Sequence, residues 1–186
     1  MLLVLDLDET LIHAREAPLE RAADFELMGY HVYVRPHLER FLTECAARFR
    51  LAVWSSASDD YVEAIASRIF PSAQRPELVW GRSRCTYAVD CARVQEEGFM
   101  DPSRHCAYVK KLGKLKRRGF RLERVLIVDD TPAKCAFNYG NAIYVRPFEG
   151  AREDAELPVL SRYLGTLADV PDVRRLEKRG WWRSGA

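Results

Sequence analysis

The chain has 186 residues, 48% hydrophobic and 30% charged, a balance that excludes a disordered or fibrous chain and suits a single domain with one core. Lysine plus arginine at 29 against aspartate plus glutamate at 27 leaves a formal charge of +2, so direct nucleic-acid binding is not expected from charge. Cys45, Cys85, Cys91, Cys106 and Cys135 are odd in number and form no CxxC pair, which argues against a disulfide framework or zinc knuckle and for a reducing, cytoplasmic setting, with the nucleus open to it in a eukaryote.

The first element is Leu2-Leu3-Val4-Leu5-Asp6-Leu7-Asp8, a continuous apolar run of the kind that forms a strand covered on both faces. Its two aspartates come too early for a signal peptide or a membrane span, so no membrane partner is expected. Residues 14–34 carry a turn signal at Met28-Gly29-Tyr30 between strand-like pieces, which predicts a β-hairpin excursion. A helix follows from Pro36 through Leu38, Phe41, Leu42 and Cys45, then a strand Leu51-Ala52-Val53-Trp54 ending in Ser55-Ser56, then a helix from Asp59 to Ile69 closed by Pro71. Residues 76–105 read as an insertion of short strands and loops.

Leucines at helical intervals in Lys110-Lys111-Leu112-Gly113-Lys114-Leu115-Lys116-Arg117-Arg118 predict an amphipathic helix over residues 108–115, with a solvated basic face and a stop at Gly119. Two more strands, Val125-Leu126-Ile127-Val128 ending in Asp129-Asp130 and Ala142-Ile143-Tyr144-Val145, precede a helical tail over about residues 153–186, clearest to Leu167. Strand and helix alternate. That order predicts an α/β fold: one Rossmann-like domain over residues 1–186, its parallel sheet flanked by helices, with small β insertions and no large cap.

In an open parallel sheet, ligands bind at the carboxyl ends of the strands. Those ends bring Asp6, Asp8, Ser55, Asp129 and Asp130 together although they are scattered in sequence. Taken singly, Asp8-Glu9-Thr10 would serve as a helix N-cap and Asp129-Asp130-Thr131-Pro132 as a turn. Together, four carboxylates cannot ionise side by side without compensating positive charge. A hard cation with oxygen ligands, Mg2+, fits a site without histidine or cysteine, and Lys110 can supply a second positive charge toward phosphate.

Asp6-Leu7-Asp8-Glu9-Thr10-Leu11 resembles the DxDxT nucleophile motif of haloacid dehalogenase (HAD) superfamily phosphatases. It has the form found in the RNA polymerase II carboxy-terminal-domain phosphatases and the NLI-interacting-factor-like group. Tyr33-Val34-Arg35-Pro36-His37-Leu38, Val53-Trp54-Ser55-Ser56-Ala57, Tyr108-Val109-Lys110-Lys111-Leu112 and Val125 through Pro132 are similar to that group's further motifs, in its order. The resemblance runs to about Pro147. It implies Asp6 as nucleophile and Asp8 as general acid and base. It implies Ser55, Ser56, Lys110 and Thr10 around the phosphate, and Asp6, Asp8 (through its carbonyl), Asp130 and nearby Asp129 around magnesium. The expected substrate is then a phosphoprotein or phosphopeptide. A small phosphorylated metabolite, a nucleic-acid end and a non-catalytic binding role stand as alternatives, and the oligomeric state is open. Two departures are Ser55, where the group usually carries threonine, and the insertion at 76–105, which is longer than the group's pattern.

Overall fold

The computed structural model describes residues 1–89, 91–101 and 106–183, with the backbone alone for 91–93. The sequence expectations for the Cys91 side chain and for His105, the far edge of the insertion, lie outside the described residues.

The first strand, β1 (Leu2–Leu5), pairs in parallel on one side with β5 (Arg50–Trp54) and on the other with β9 (Val125–Asp129). β6 (Leu78–Trp80) extends the sheet beyond β5, and β10 (Ala142–Tyr144) extends it beyond β9. The sheet is thus five strands in the order β10-β9-β1-β5-β6, all parallel. Both faces are covered. Leu3, Leu5, Leu51, Val53, Leu126 and Val128 pack on one side, and Leu2, Val4, Ala52, Trp54, Val125 and Ile127 on the other. That double burial is the reason the strands read as unbroken apolar runs.

The first face is covered by α1 (Leu38–Ala46), α2 (Asp59–Ile69) and α4 (Glu156–Leu167), whose buried positions recur three and four residues apart. Short antiparallel sheets fill the excursions. β2 (Ile12–Arg15), β4 (Tyr30–Val34) and β3 (Phe25–Leu27) form one in that order, while β7 (Thr86–Val89) and β8 (Cys106–Val109) form the other, with α3 (Cys91–Glu97) between them in sequence.

Three expectations need correction. The excursion at 14–34 is a three-stranded sheet that starts at Ile12, since β2 pairs with the far strand of the hairpin. Leu78–Trp80 belongs to the main sheet and not to the insertion; three residues flanked by Pro76 and Gly81 are too short to show a strand period. The helix expected over 108–115 is instead the end of β8 followed by a 3-10 helix, Leu112–Arg118. Leu112 and Leu115 are buried as expected, but a three-residue spacing serves a 3-10 turn as well as an α-helix. The tail's helix ends at Leu167, where the helical reading was clearest, and beyond it the short 3-10 turns Val173–Arg175 and Trp181–Arg183 stand in place of a continued helix.

One buried cation ties the loop after β1 to the carboxy-terminal third. Arg35 is fully buried; it donates to the Thr10 carbonyl at 3.0 Å, to the Arg146 carbonyl at 3.0 Å and to both oxygens of Asp154 at 2.9 Å each. Burial pushes the Asp154 pKa up, but the Arg35 hydrogen bonds, the Glu156 amide and the Arg35 and Arg146 charges together outweigh it and hold the carboxyl below the usual carboxylate range. Removing one partner of such a pair leaves the other uncompensated. Arg35→Met is therefore expected to cost about 3 kcal/mol in chemical denaturation. For Asp154, whose pKa is depressed on folding, the contribution is complete above the unfolded value of about 4 and is lost as pH falls through the folded value. The stability gap between the wild type and Asp154→Asn should accordingly be widest at neutral pH and close below about pH 4; a gap independent of pH would refute the ion pair.

Candidate active site

The chain turns sharply where β1 ends. The Leu7 carbonyl accepts from the Thr10, Leu11 and Ile12 amides at 3.1, 2.7 and 3.1 Å, and Glu9 takes a left-handed backbone with φ 60°. Non-glycine residues rarely adopt that region, and such strain concentrates at functional loops. The Asp6 amide donates to the Val128 carbonyl of β9 at 3.0 Å, so the ends of β1 and β9 are locked in register.

Asp6 is buried, and its Oδ1 lies 2.7 Å from Lys110 Nζ. The same ammonium donates to Asp129 Oδ2 at 2.6 Å, and Lys110 is fully buried. Lys110 is thus not on a solvated basic face. Burial pulls its pKa down, but the Asp6 and Asp129 carboxylates outweigh burial and hold it above the ordinary lysine range, so it stays charged. For Asp6 burial is the larger influence and pushes the carboxyl up against the pull of Lys110, so full ionisation calls for more positive charge nearby.

Part of that charge is Lys134, which the sequence reading missed. Its Nζ lies 3.7 Å from Asp6 Oδ2 and 3.9 Å from Asp130 Oδ1. The only sequence signal was its place four residues after Asp130, one helical turn away. Asp6, Asp129 and Asp130 each offer a carboxylate oxygen within 4.8 Å of the others. Asp129 is the most committed of the three: its Oδ1 accepts from the Thr131 amide at 2.9 Å and its Oδ2 from Lys110. Asp6 Oδ2 and Asp130 Oδ1 are buried without a hydrogen-bond partner. Buried carboxylate oxygens with only a distant ammonium fit a hard divalent cation.

Asp8 faces a different set. Tyr61 OH donates to its Oδ1 at 2.8 Å and Ser55 Oγ to its Oδ2 at 3.3 Å. Its carboxylate is therefore held apart from the three-aspartate group. Burial raises the Asp8 pKa despite the Tyr61 hydrogen bond that opposes it. Tyr61 is the second residue missed; it lies in α2, where its spacing announced only core. Ser55 is anchored at the end of β5 by its amide, which donates to the Trp80 carbonyl at 2.9 Å. Ser56 meets its neighbours through its carbonyl, which accepts from Arg82 Nε at 2.9 Å. The Thr10 hydroxyl is buried without a hydrogen-bond partner, and Thr10 steadies the loop through the carbonyl that Arg35 holds.

Comparison with known proteins gives this geometry a context. The family model described as NLI interacting factor-like phosphatase matches residues 1–174. The human carboxy-terminal domain RNA polymerase II polypeptide A small phosphatase 1 is 32% identical over 178 residues, covering 91% of this chain and 60% of the relative. CTD small phosphatase-like protein 2 of Dictyostelium discoideum is 29% identical over 179 residues, 92% of this chain and 28% of the relative. The chain thus spans less than two thirds of these relatives. Among solved structures, a variant of the fission yeast RNA polymerase II CTD phosphatase Fcp1 bound to beryllium fluoride superposes with a TM-score of 0.55 at 17% identity, covering 95% of this chain and 53% of that one. That similarity shows a shared fold, the HAD fold.

A like charge as close as Lys134 opposes a divalent cation. Lys134→Met is expected to tighten magnesium binding by on the order of tenfold, about 1.4 kcal/mol, in titration calorimetry. Unchanged or weaker binding would mean that the ammonium does not compete for those oxygens.

Proposed function

The chain belongs to the NLI interacting factor-like phosphatase family, and on that premise we propose that it hydrolyses phosphoserine or phosphothreonine in protein through an aspartyl phosphate on Asp6, with magnesium bound. The observation that carries this reading is Asp6 itself, a buried carboxylate at a central strand end, with one oxygen on Lys110 and the other without a hydrogen-bond partner.

Asp6 attacks phosphorus, forming a new P–O bond as the bond to the serine or threonine oxygen breaks. Asp8 gives its proton to the departing alkoxide, a role its raised pKa suits. Water then attacks the phosphoryl group and yields its proton to Asp8, and the P–O bond to Asp6 breaks to restore the carboxylate. Tyr61 and Ser55 hold Asp8 in place through both steps. Lys110 keeps its charge and steadies Asp6, and the Ser55 and Ser56 region with Lys110 is the candidate phosphate cradle. Asp6, Asp130 and the Asp8 carbonyl, with Asp129 beside them, would hold magnesium, which supplies electrostatic stabilisation of the transferring phosphoryl charge.

The substrate class rests on two supports. The human relative's name places it on a polymerase polypeptide, and a cleft of about 420 Å³ opens beside Asp8, bounded by Met28, Tyr30, Ala57, Tyr61 and Arg82. An open cleft admits an extended chain, whereas small-molecule enzymes of this chemistry use a lid to exclude water. Free thiols at Cys45, Cys85, Cys106 and Cys135 support the expected reducing compartment.

Hydrolysis of p-nitrophenyl phosphate is expected to stop with chelator and return with magnesium; full activity in a metal-stripped sample would end the reading. Asp8→Asn should slow phosphoserine hydrolysis by about 10²–10⁴-fold, the usual worth of a positioned acid or base. With p-nitrophenyl phosphate, whose leaving group needs no proton, the variant should give a burst and then stall as phospho-enzyme. Equal loss on both substrates without a burst would remove Asp8 from the proton role.

A further inference from the structure

On the side of Asp130 away from the Asp8 cleft lies a groove of about 540 Å³ lined by Asp130, Pro132, Tyr144, Val145, Pro147 and Trp182. Its volume is that of a ligand site, typically about 300–1,000 Å³. We propose that this groove is a specificity subsite that takes an apolar side chain of the phosphoprotein substrate, carried close to the phosphoresidue, with the Trp182 indole as its platform. This rests on the phosphatase reading above.

Position supplies the first support. Asp130 forms one wall, and its carboxylate belongs to the same group as Asp6, with ligand atoms within 4.8 Å of one another. The groove therefore borders the carboxylate group at which the phosphoryl transfer is proposed. An extended chain advances about 3.3–3.6 Å per residue, so the side chain entering beside Asp130 belongs to the residues nearest the phosphoresidue, within about four positions.

Charge supplies the second. The two remaining lining residues, Arg146 and Glu156, neutralise each other: Arg146 donates to Glu156 Oε2 through Nε at 3.0 Å and Nη2 at 2.9 Å. Beyond Asp130, which the metal group engages, the groove offers no unmatched charge to a second phosphate or an acidic residue. Its proline, valine and aromatic surfaces favour an apolar occupant, at about 25 cal/mol for each Å² buried.

Preorganisation supplies the third. Trp182 is 54% exposed, yet its indole is not loose. It meets Trp181 edge to face, with ring centres 6.2 Å apart at 83°. Trp181 in turn is buried, stacks on Tyr163 and donates from Nε1 to the Tyr144 carbonyl at 2.7 Å. The segment leading to the pair is fastened by Lys178, whose buried ammonium donates to the Val173 and Leu176 carbonyls at 2.6 and 2.8 Å. A large aromatic surface held open in this way binds at little cost in conformational freedom, which is why tryptophan recurs among residues that dominate binding energy. Of the two tryptophans, one anchors and the other displays.

The test is a scan of phosphoserine peptides. A single leucine, or in a matched set a single aspartate, is moved through the four positions on either side of the phosphoserine in an alanine background, and kcat/KM is measured for the wild type, Trp182→Ala and Trp182→Phe. Leucine should exceed aspartate by roughly tenfold at one position, equivalent to about 1.4 kcal/mol. Trp182→Ala should erase that preference, Trp182→Phe should keep most of it, and p-nitrophenyl phosphate turnover should stay within about twofold throughout, since that substrate does not reach the groove. A flat scan in an active wild type overturns the subsite alone. Hydrolysis of p-nitrophenyl phosphate without hydrolysis of any phosphopeptide overturns both the subsite and the phosphoprotein reading. An equal fall of Trp182→Ala on all substrates, or a flat scan with a dimer that disappears in Trp182→Ala on size-exclusion light scattering, would assign Trp182 to folding or to a second copy and overturn the subsite.

Discussion

A lysine ammonium shut off from solvent lies between two carboxylates that are also buried, 2.7 Å from Asp6 and 2.6 Å from Asp129. Charges placed so deep are tolerated only when paired, because each carries a desolvation cost of several kcal/mol that a neighbour of opposite sign must offset. The fold meets this requirement with backbone as well as side chains. The Lys110 amide donates to the Lys134 carbonyl at 2.8 Å, and Asn138 brackets the same point, its amide group bonding the Lys110 carbonyl and its Oδ1 accepting from the Leu112 amide at 3.1 Å. The kinked 3-10 segment Pro132–Asn141 thus does two things at once. It carries Lys134 toward Asp6 and Asp130, and it pins the end of the small β7-β8 sheet against the large one.

This arrangement explains which features could be read in advance. Strands β1, β5 and β9 announce themselves because burial on both faces forbids polar interruption, and their polar ends then mark the site. Asp6, Asp8, Ser55, Asp129 and Asp130 converge for that reason. Arg35 and Tyr61 are different in kind, and so is the reach of Lys134 to Asp6. These partners, such as Asp154 for Arg35 at 119 residues' distance in sequence, are chosen by the tertiary fold, and no local period reveals them. The same holds for β6, where Gly81 is required because a Cβ there would lie 2.3 Å from the Asp59 side chain, a contact that becomes visible only when α2 is in place.

Reactivity at the site follows from an imbalance that the protein leaves in place. Asp6, Asp129 and Asp130 outnumber Lys110 and Lys134, and burial resists the ionisation of Asp6. A divalent cation on the oxygens that lack hydrogen bonds would make Asp6 fully nucleophilic and stabilise phosphoryl charge in the same act. Asp8, held by Tyr61 and Ser55 outside that group, is free to keep a proton. The proposed mechanism thereby gives two carboxylates two residues apart opposite duties, each suited to its surroundings.

The carboxy-terminal segment connects this centre to the outer surface, since Trp181 is fixed to the Tyr144 carbonyl at the end of β10 while Asp130 follows β9 beside it. Everything proposed for substrate choice depends on the covalent step at Asp6. The most direct measurement is to quench steady-state turnover in acid, reduce with borohydride and sequence the peptides by mass spectrometry. Reduction converts an aspartyl phosphate, but not a free carboxylate, to homoserine. Residue 6 alone should be recovered as homoserine, and only when substrate was present. Absence of conversion at residue 6 during confirmed turnover with the intermediate accumulated in Asp8→Asn, or conversion at another aspartate, would contradict Asp6 as the nucleophile.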